Sequence, residues 1–439
     1  MFAIPGPVTA ALERLRCSGF EAYLVGGCVR DYLMHAAPQD FDLATSATPS
    51  EMELVFEDCR QIKTGLRHGT VTVLMQGLPL EITTYRVETG YSDNRHPDEV
   101  AFTRSLQEDL SRRDFTMNAI ACHPEEGLID PYGGQADLAA CTVRCVGDPD
   151  RRFGEDALRI LRALRFAAVL DFSVAPETAE AIHRSCALLR NISAERIFTE
   201  LSKLLCGKAA GRVLLEYADV LGVPIPELLP AIGFDQRSVY HHLDVYAHTV
   251  AVVGACPAEP VLRWAALFHD LGKPASFSED EAGGHFYGHG ERSKNLADAA
   301  MARLRFDSAS RARISLLVEQ HDVSPPADEK TAARRLRRWG EEACFQLIEL
   351  GRADNLGQNP AYRGRQADFD RAEALYREIL GQQRCFSLKN LALDGDDLLA
   401  LGYRGREIGE TLSRLLDAVM DCAVENSREA LLRYLAGKA

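Results

Sequence analysis

Two sets of polar residues in this 439-residue chain have spacings that can do chemistry. The first begins with Leu24-Val-Gly-Gly-Cys-Val-Arg-Asp31 and continues with Asp40-Phe-Asp42. A strand that ends in Gly26-Gly27 lets the backbone come close to a ligand, and the helix start after it aims amides at an anion. Arg30 adds a guanidinium suited to phosphate. Read as a strand, Asp40–Leu43 puts Asp40 and Asp42 on one side. Such a carboxylate pair suits two Mg²⁺ ions bridging a triphosphate and an attacking hydroxyl. Glu81, at the head of another expected strand, is a candidate third carboxylate. A Gly-Gly or an Asp-x-Asp alone is most often a turn, but the two in this order point to phosphoryl chemistry.

Two later segments extend the set. Arg112-Arg-Asp-Phe-Thr-Met-Asn118 places the guanidiniums of Arg112 and Arg113 beside Asp114 and Asn118. Arginines hold phosphates, and Asp114 can accept a hydrogen bond from a ribose hydroxyl. Gly154-Glu-Asp-Ala-Leu-Arg-Ile-Leu-Arg-Ala-Leu-Arg-Phe166 reads as one helix carrying Glu155, Asp156, Arg159, Arg162 and Arg165. Helical spacing puts Glu155 and Asp156 on a face with Arg159. The bland reading of that face is a set of surface salt bridges.

The second set is rich in histidine. Seven of the twelve histidines fall between His241 and His321. His248 precedes Phe268-His-Asp-Leu-Gly-Lys273; His289, Gln320-His-Asp322 and Arg352-Ala-Asp-Asn355 follow. This order resembles the HD phosphohydrolase pattern. The resemblance implies His248, His269, Asp270 and Asp354 as metal ligands, with His289 and His321 as candidates for a second metal or a phosphate. Gln320-His321 stands where the fullest binuclear pattern has two histidines. Mixed nitrogen and oxygen ligation suits Mn²⁺, Ni²⁺, Co²⁺ or Fe²⁺ better than Mg²⁺ alone. His241 and His242 read as solvated surface; His35, His68, His123 and His183 read as surface or packing.

These residues need positioning elements. Residues 1–150 read as mixed α/β, with a helix near 7–18, a strand at Ala22–Val25 and a second at Asp40–Leu43. Two β-rich runs, Thr70–Met75 and Leu80–Tyr85, flank the hairpin signal Gln76-Gly-Leu-Pro79. Thr142–Val146 is a further candidate strand. From about Arg152 the apolar spacing turns helical and stays so. Breaks fall at Pro224, Pro226 and Pro230 and again at Ser324-Pro-Pro326.

Composition bounds the reading. Fifty Lys+Arg against 64 Asp+Glu give a net charge of −14, with 46% hydrophobic and 26% charged residues, as in ordinary globular proteins. The length predicts two to four domains. No apolar run is long enough for a membrane helix, and no secretory signal is evident, so no membrane association is expected. Twelve scattered cysteines without a CxxC pair fit free thiols in a reducing cytoplasm. Taken whole, the acidity argues against a nucleic-acid partner. Its distribution reverses that inference: residues 1–150 carry a net −11, whereas 331–439 are neutral and include Arg334, Arg335, Arg337 and Arg338. Local patches of this kind are phosphate-contact candidates.

In their order, the motifs of the first set resemble the class II tRNA nucleotidyltransferases, the family of CCA-adding enzymes and bacterial poly(A) polymerases. A looser resemblance continues through Leu388–Val419, and Ser387–Leu399 resembles the tail segment that reaches the tRNA body. The resemblance implies Gly26, Gly27 and Arg30 as the phosphate-binding turn and Asp40 and Asp42 as Mg²⁺ carboxylates. It implies Asp114 as ribose reader and Glu155, Asp156 and Arg159 as base-selecting residues, with Arg162 and Arg165 beside them. Cytosine and adenine both offer an amino donor next to a ring-nitrogen acceptor, which Asp156 and Arg159 complement. Tyr85–Pro97, with His96, resembles the flexible loop of CCA- and A-adding members, which CC-only enzymes lack.

The expected fold class is α+β: a nucleotidyltransferase head with a small mixed sheet (1–146), a helical neck (147–235), an HD domain (236–330) and a helical tRNA-binding tail (331–439). The expected activity is CCA addition to tRNA from CTP and ATP, with HD-domain phosphohydrolase activity serving 3′-end repair. Expected partners are tRNA, CTP and ATP. The alternatives are an A-adding enzyme or poly(A) polymerase, which would be expected to carry a long basic C-terminal extension, and an HD phosphohydrolase with an RNA-binding head.

Overall fold

The computed structural model describes residues 4–38, 40–62, 65–66, 69–90, 99–281, 283–381, 388–420 and 423–437. His68, His96 and residues 91–98 of the expected loop lie outside this set, as does Ser387. The chain divides into two compact units, residues 1–229 with 303–305, and residues 230–302 with 306–439. None of the described helices is long and apolar enough to cross a membrane.

The first unit is built on a seven-stranded sheet. Its strands are β1 (Ala22–Val25), β2 (Asp42–Thr45), β3 (Arg60–Ile62), β4 (Thr70–Met75), β5 (Leu78–Thr84), β8 (Ala121–His123) and β9 (Gly127–Ile129), and β6 (Arg86–Thr89) pairs with β7 (Glu99–Phe102) in a separate hairpin. The sheet order is β3-β4-β5-β2-β1-β8-β9. Only β2 and β5 run parallel; the other neighbours are antiparallel. Period-two alternation sorts side chains between faces. Leu24, Leu43, Val73 and Ile82 join Leu12, Leu15, Met52 and Phe56 in one core. Tyr23, Val25, Ala44 and Tyr85 join Leu106 and Leu110 in another. The sheet is thus covered on both sides, and β1 is buried along its whole length.

Four expectations change. The β4–β5 turn is two residues, not four, because Gln76 and Gly77 both take positive φ (51° and 87°) and pairing resumes at Leu78. Strand β2 starts at Asp42, so Asp40 lies before the strand and the alternation rule does not place it beside Asp42. The 154–166 segment is two helices, Pro149–Glu155 and Leu158–Leu170, because Asp156 is extended (φ −138°, ψ 103°) and its Oδ1 accepts the Leu158 amide at 3.1 Å. Part of the expected loop, Arg86–Thr89, is strand.

The second unit is almost entirely helical. The helices Val245–Ala255, Pro260–Phe268, Ser308–Gln320 and Glu341–Gly357 pack on one another. A separate cluster of Leu336, Ile348, Phe369 and Tyr376 supports the Glu329–Trp339 and Gln366–Gly381 helices. On the first of these, Arg334 and Arg338 are exposed, while Arg337 pairs with Asp417 and Arg335 lies over Trp339.

Candidate active site and metal centre

Gly26 joins β1 to the Gly27–Leu33 helix with φ 75°, and a Cβ there would come 3.3 Å from Arg113 Nη1 and 3.8 Å from Asp42 Oδ2. The glycine lets the backbone turn directly into the site. Around it lies a cavity of about 500 Å³ lined by Gly27, Arg30, Asp42, Arg112, Arg113, Asp114, Asn118, Asp156, Arg159, Arg162 and Arg165. These residues, collected from four stretches of sequence, meet in one place. Glu155, Glu81 and Asp40 are not among the lining residues.

Hydrogen bonds lock the arginines around carboxylates. Asp114 Oδ2 accepts from Arg162 Nε at 2.9 Å and Nη2 at 2.5 Å, and its Oδ1 accepts from Asn118 Nδ2 and the Phe115 amide. Burial pushes the Asp114 carboxyl up, but Arg162 and the Asn118 bond outweigh it and hold it down at about 2. Arg30 Nη1 donates to Asn118 Oδ1 at 2.9 Å, which ties the glycine turn into the same network. Asp109, fully buried and not read from the sequence, sits under Arg112 and Arg113 and accepts from both at 2.8 and 3.2 Å. Glu200 likewise pairs with Arg165 at 2.5 Å. The i,i+3 and i,i+4 spacing to Arg112 and Arg113 is the signal that could have found Asp109; its complete burial is not readable from that spacing.

Glu155 does not line the cavity and is paired with arginines. It accepts from Arg152 at 2.6 Å and Arg159 at 2.7 Å, and all three are buried. Here the salt-bridge reading holds, although in the interior rather than on the surface. Arg159 also donates to the carbonyls of Arg152 and Arg112, which leaves its Nε–H and one Nη2–H for a ligand. Asp156 is held by Arg196 Nη2 at 2.9 Å, an arginine not read from the sequence, and keeps acceptor capacity on Oδ2. Both side chains line the cavity, one with acceptor and the other with donor capacity left.

Asp42 pairs in register with Glu81 across the parallel β2–β5 ladder. Burial, reinforced by the charges of Glu81 and Asp40, pushes the Asp42 carboxyl up, against the pull of Arg113. An acid crowded by other acids fits a cation. The three carboxylates do not converge as tightly as those of the second unit, where two groups of three ligating atoms lie within 4.8 Å of one another.

Those groups are His248, His269 and Asp354, and His269, Asp270 and His321. Their ligands come from the helix Val245–Ala255, the end of Pro260–Phe268, the end of Ser308–Gln320, and Glu341–Gly357, and the start of His289–Arg303 brings His289 beside them. Asp270 is central: its Oδ2 lies 3.1 Å from His269 Nε2 and 3.5 Å from His248 Nε2. Its Oδ1 lies 3.5 Å from His289 Nε2 and 3.6 Å from His321 Nε2. Asp354 Oδ1 approaches His248 Nε2 at 2.9 Å. The residues fit a metal by their tautomers. Nδ1 of His269, His289 and His321 each donates to a backbone carbonyl at 2.7 to 2.8 Å, so the Nε2 lone pairs aim at the centre. His269 Nε2 and Asp270 Oδ1 are buried with no hydrogen-bond partner among the described residues. A cation would satisfy both.

His241 is not solvated surface. Its ring meets His248 edge-on at 4.8 Å and lines the cavity of about 390 Å³ above the cluster. Burial, with the charge of Lys273, lowers its pKa to about 3. Lys273 is buried, 2.7 Å from Asp270 Oδ2 and 2.9 Å from Gln236 Oε1. His123 packs edge-on against Tyr23, and His183 stacks on Tyr217.

Gly272 sets the position of His289. A Cβ there would lie 2.5 Å from the His289 carbonyl and 2.6 Å from the Ser293 amide, both backbone. Gly272→Ala should therefore push that helix away and destabilise the unit by about 1–3 kcal/mol, as overpacking does. A urea melt that matches the wild type would refute this packing argument.

Three family models match the chain: the poly(A) polymerase head domain over residues 22–144, a probable RNA- and SrmB-binding site of polymerase A over 171–230, and the HD domain over 239–357. The HD match takes in Asp354. A CCA-adding enzyme of Lactobacillus delbrueckii subsp. bulgaricus is 35% identical over 97% of this chain and 96% of its own length. One from Latilactobacillus sakei is 51% identical over 45% of this chain and 49% of its own. A solved CCA-adding enzyme of Bacillus stearothermophilus, in complex with CTP, superposes with a TM-score of 0.73 at 28% identity, covering 99% of this chain and 98% of that one. A Thermotoga maritima CCA-adding enzyme complexed with tRNA shares the fold, with a TM-score of 0.59 at 18% identity. Head and HD domains of these kinds generally use divalent metals. An arginine-lined pocket that includes Asp42 and near full-length identity to named relatives lead to one assignment: this chain belongs to the family of CCA-adding enzymes, nucleotidyltransferases that act on tRNA.

Proposed function

We propose that this protein adds the 3′-terminal CCA to tRNA, one nucleotide at a time, from CTP and ATP. The observation that carries the reading is the juxtaposition, in one cavity, of phosphate-suited arginines, Asp42, and the open acceptor and donor on Asp156 and Arg159. In this reaction the tRNA 3′-hydroxyl attacks the α-phosphate and pyrophosphate leaves. Arg30, Arg112 and Arg113 hold the triphosphate at the Gly26-Gly27 turn. Asp114 orients the ribose through its fixed oxygens. Mg²⁺ held by Asp40 and Asp42, with Glu81 behind Asp42, would help deprotonate the hydroxyl and neutralise developing charge when bound.

Base choice follows from the same two side chains. Asp156 accepts from the exocyclic amino group of cytosine or adenine while Arg159 donates to the ring nitrogen. Uracil and guanine present the reverse order and leave both groups mispaired. Arg159→Ala should therefore let UTP compete, reducing discrimination about 10- to 100-fold. Selectivity equal to wild type in a four-nucleotide competition would remove Arg159 from this role.

In the second unit, His248, His269, Asp270 and Asp354 hold a divalent transition metal (Mn²⁺, Ni²⁺, Co²⁺ or Fe²⁺), and His289 and His321 complete the other side of Asp270. We assign this centre to hydrolysis of 2′,3′-cyclic or terminal phosphates on damaged tRNA ends. The exposed Arg334 and Arg338 of the tail are candidates for contacts to the tRNA backbone, where shape rather than sequence is read. Free thiols among the described residues and a tRNA substrate support a cytoplasmic location.

One experiment tests the main assignment. The protein is incubated with tRNA ending at the discriminator base, or in CC, with CTP, ATP or both. Growth by three nucleotides and then arrest is expected. Long tails would indicate a poly(A) polymerase, and unextended tRNA would favour the phosphohydrolase alone.

A further inference from the structure

The mouth of the HD cavity carries two large aromatic rings that the metal chemistry does not use. Tyr287 is 76% exposed and Tyr240 is 54% exposed, yet both line the cavity that holds His289, His321, Asp270 and Asp354. Exposed tyrosines are ordinary when scattered and mobile. These two are held. Tyr287 lies nearly parallel to His285, with centroids 5.4 Å apart at 14°, and His285 is itself oriented by Asp280 at 2.9 Å. Tyr240 meets Tyr362 edge-on at 4.8 Å, and Asn359 anchors its segment by donating to the carbonyls of Tyr240 at 2.9 Å and Val239 at 3.1 Å. Rigid, solvent-facing rings at the rim of a polar pocket are the arrangement on which unpaired bases stack. The pocket, about 390 Å³, lies within the range of small-ligand sites.

We infer that Tyr287 and Tyr240 are base-stacking platforms that make the HD centre specific for phosphate esters of a nucleoside at an unpaired RNA end. The inference rests on the reading of that centre as a phosphoester hydrolase. It adds a division of labour: the metal side, with Lys273 behind Asp270, takes the phosphate, and the rings take the base beside it. A phosphate ester without a base forgoes the stacking and is a poor substrate.

The test has two arms on the full-length protein. In the first, Mn²⁺-loaded enzyme hydrolyses adenosine 3′-monophosphate or ribose 3-phosphate. The wild type should favour the nucleotide in kcat/KM, and that ratio should fall about 10-fold in Tyr287→Ala and in Tyr240→Ala and recover in Tyr287→Trp, since stacking tolerates any flat ring. A wild-type ratio near one, or an unchanged ratio in both alanine variants, overturns the inference. In the second arm, metal-free protein is photolabelled with 8-azidoadenosine 3′-monophosphate and the modified peptides are mapped. Label on the segments holding Val239–Tyr240 or His285–Tyr287 is expected; label confined to the head cavity overturns the inference. Because labelling needs no turnover, an enzyme that labels at the rim but hydrolyses neither ester overturns the phosphohydrolase reading and leaves base recognition standing.

Discussion

Asp42→Asn should lower nucleotide incorporation into tRNA by about 10³-fold, equivalent to ~4 kcal/mol of transition-state stabilisation. The side chain sits at the first residue of β2, opposite Val25 on one side and Glu81 on the other, at the wall of the arginine-lined cavity. Asparagine keeps its volume and removes its charge, so the loss would report cation binding rather than collapse. The stability effect should have the opposite sign. Burial and the neighbouring acids Glu81 and Asp40 raise the Asp42 carboxyl, so the folded state favours its neutral form. An ionised Asp42 at neutral pH therefore costs stability, and the neutral amide should melt at the same temperature or higher. Incorporation of radiolabelled CTP and a thermal melt measure the two. Activity within tenfold of wild type, or a marked fall in Tm, would remove Asp42 from the proposed role.

Asp270→Asn should have the largest effect in the second unit. Both oxygens of this carboxylate are shared, one facing His248 and His269, the other His289 and His321. Loss of its charge takes a ligand from each side and leaves the buried Lys273 with Gln236 and the Phe286 ring but no carboxylate partner among the described residues. A buried cation deprived of its partner destabilises a fold by about 3–5 kcal/mol. The expected result is metal content well below that of wild type after Mn²⁺ loading and desalting, with a lower denaturation midpoint in the metal-free state. Unchanged metal content by atomic emission would show that Asp270 is not a ligand. An unchanged midpoint would show that Lys273 does not depend on it.

The glycine turn was legible from local sterics, and the ligand set of the second unit from the order of motifs that resembles the HD pattern. Gly26 reads as a ligand-approach residue in sequence and takes φ 75° in the fold. His248, His269, Asp270 and Asp354 read as ligands and have ligating atoms a few ångströms apart. Where the local rule was applied one residue too far, it failed. Asp40 shares no strand with Asp42, because pairing with β1 and β5 begins only at Asp42. Glu155 shares no unbroken helix with Arg159, because Asp156 between them is extended, although the two still pair at the i,i+4 spacing.

The sequence by itself determined the order of the parts, the mixed α/β head before the helices, and most residues of both candidate centres. The first two follow from periodicity, which acts over a few neighbours; the residues of the two centres follow from the order of the motifs and its resemblance to the nucleotidyltransferase and HD families. Tertiary structure alone decided which polar groups are already committed. Glu155 is consumed by Arg152 and Arg159, Asp109 and Glu200 hold arginines from beneath, and Asp156 is steadied by Arg196 forty positions away. It also raised His241 from assumed surface to a wall of the metal pocket and set Tyr240 and Tyr287 at its rim. Burial makes an unpaired charge or donor costly, so the interior assigns partners across any sequence distance. Helical spacing encodes the pairs of Glu155 and Asp109, but no local pattern encodes those of Asp156 with Arg196 or Arg165 with Glu200.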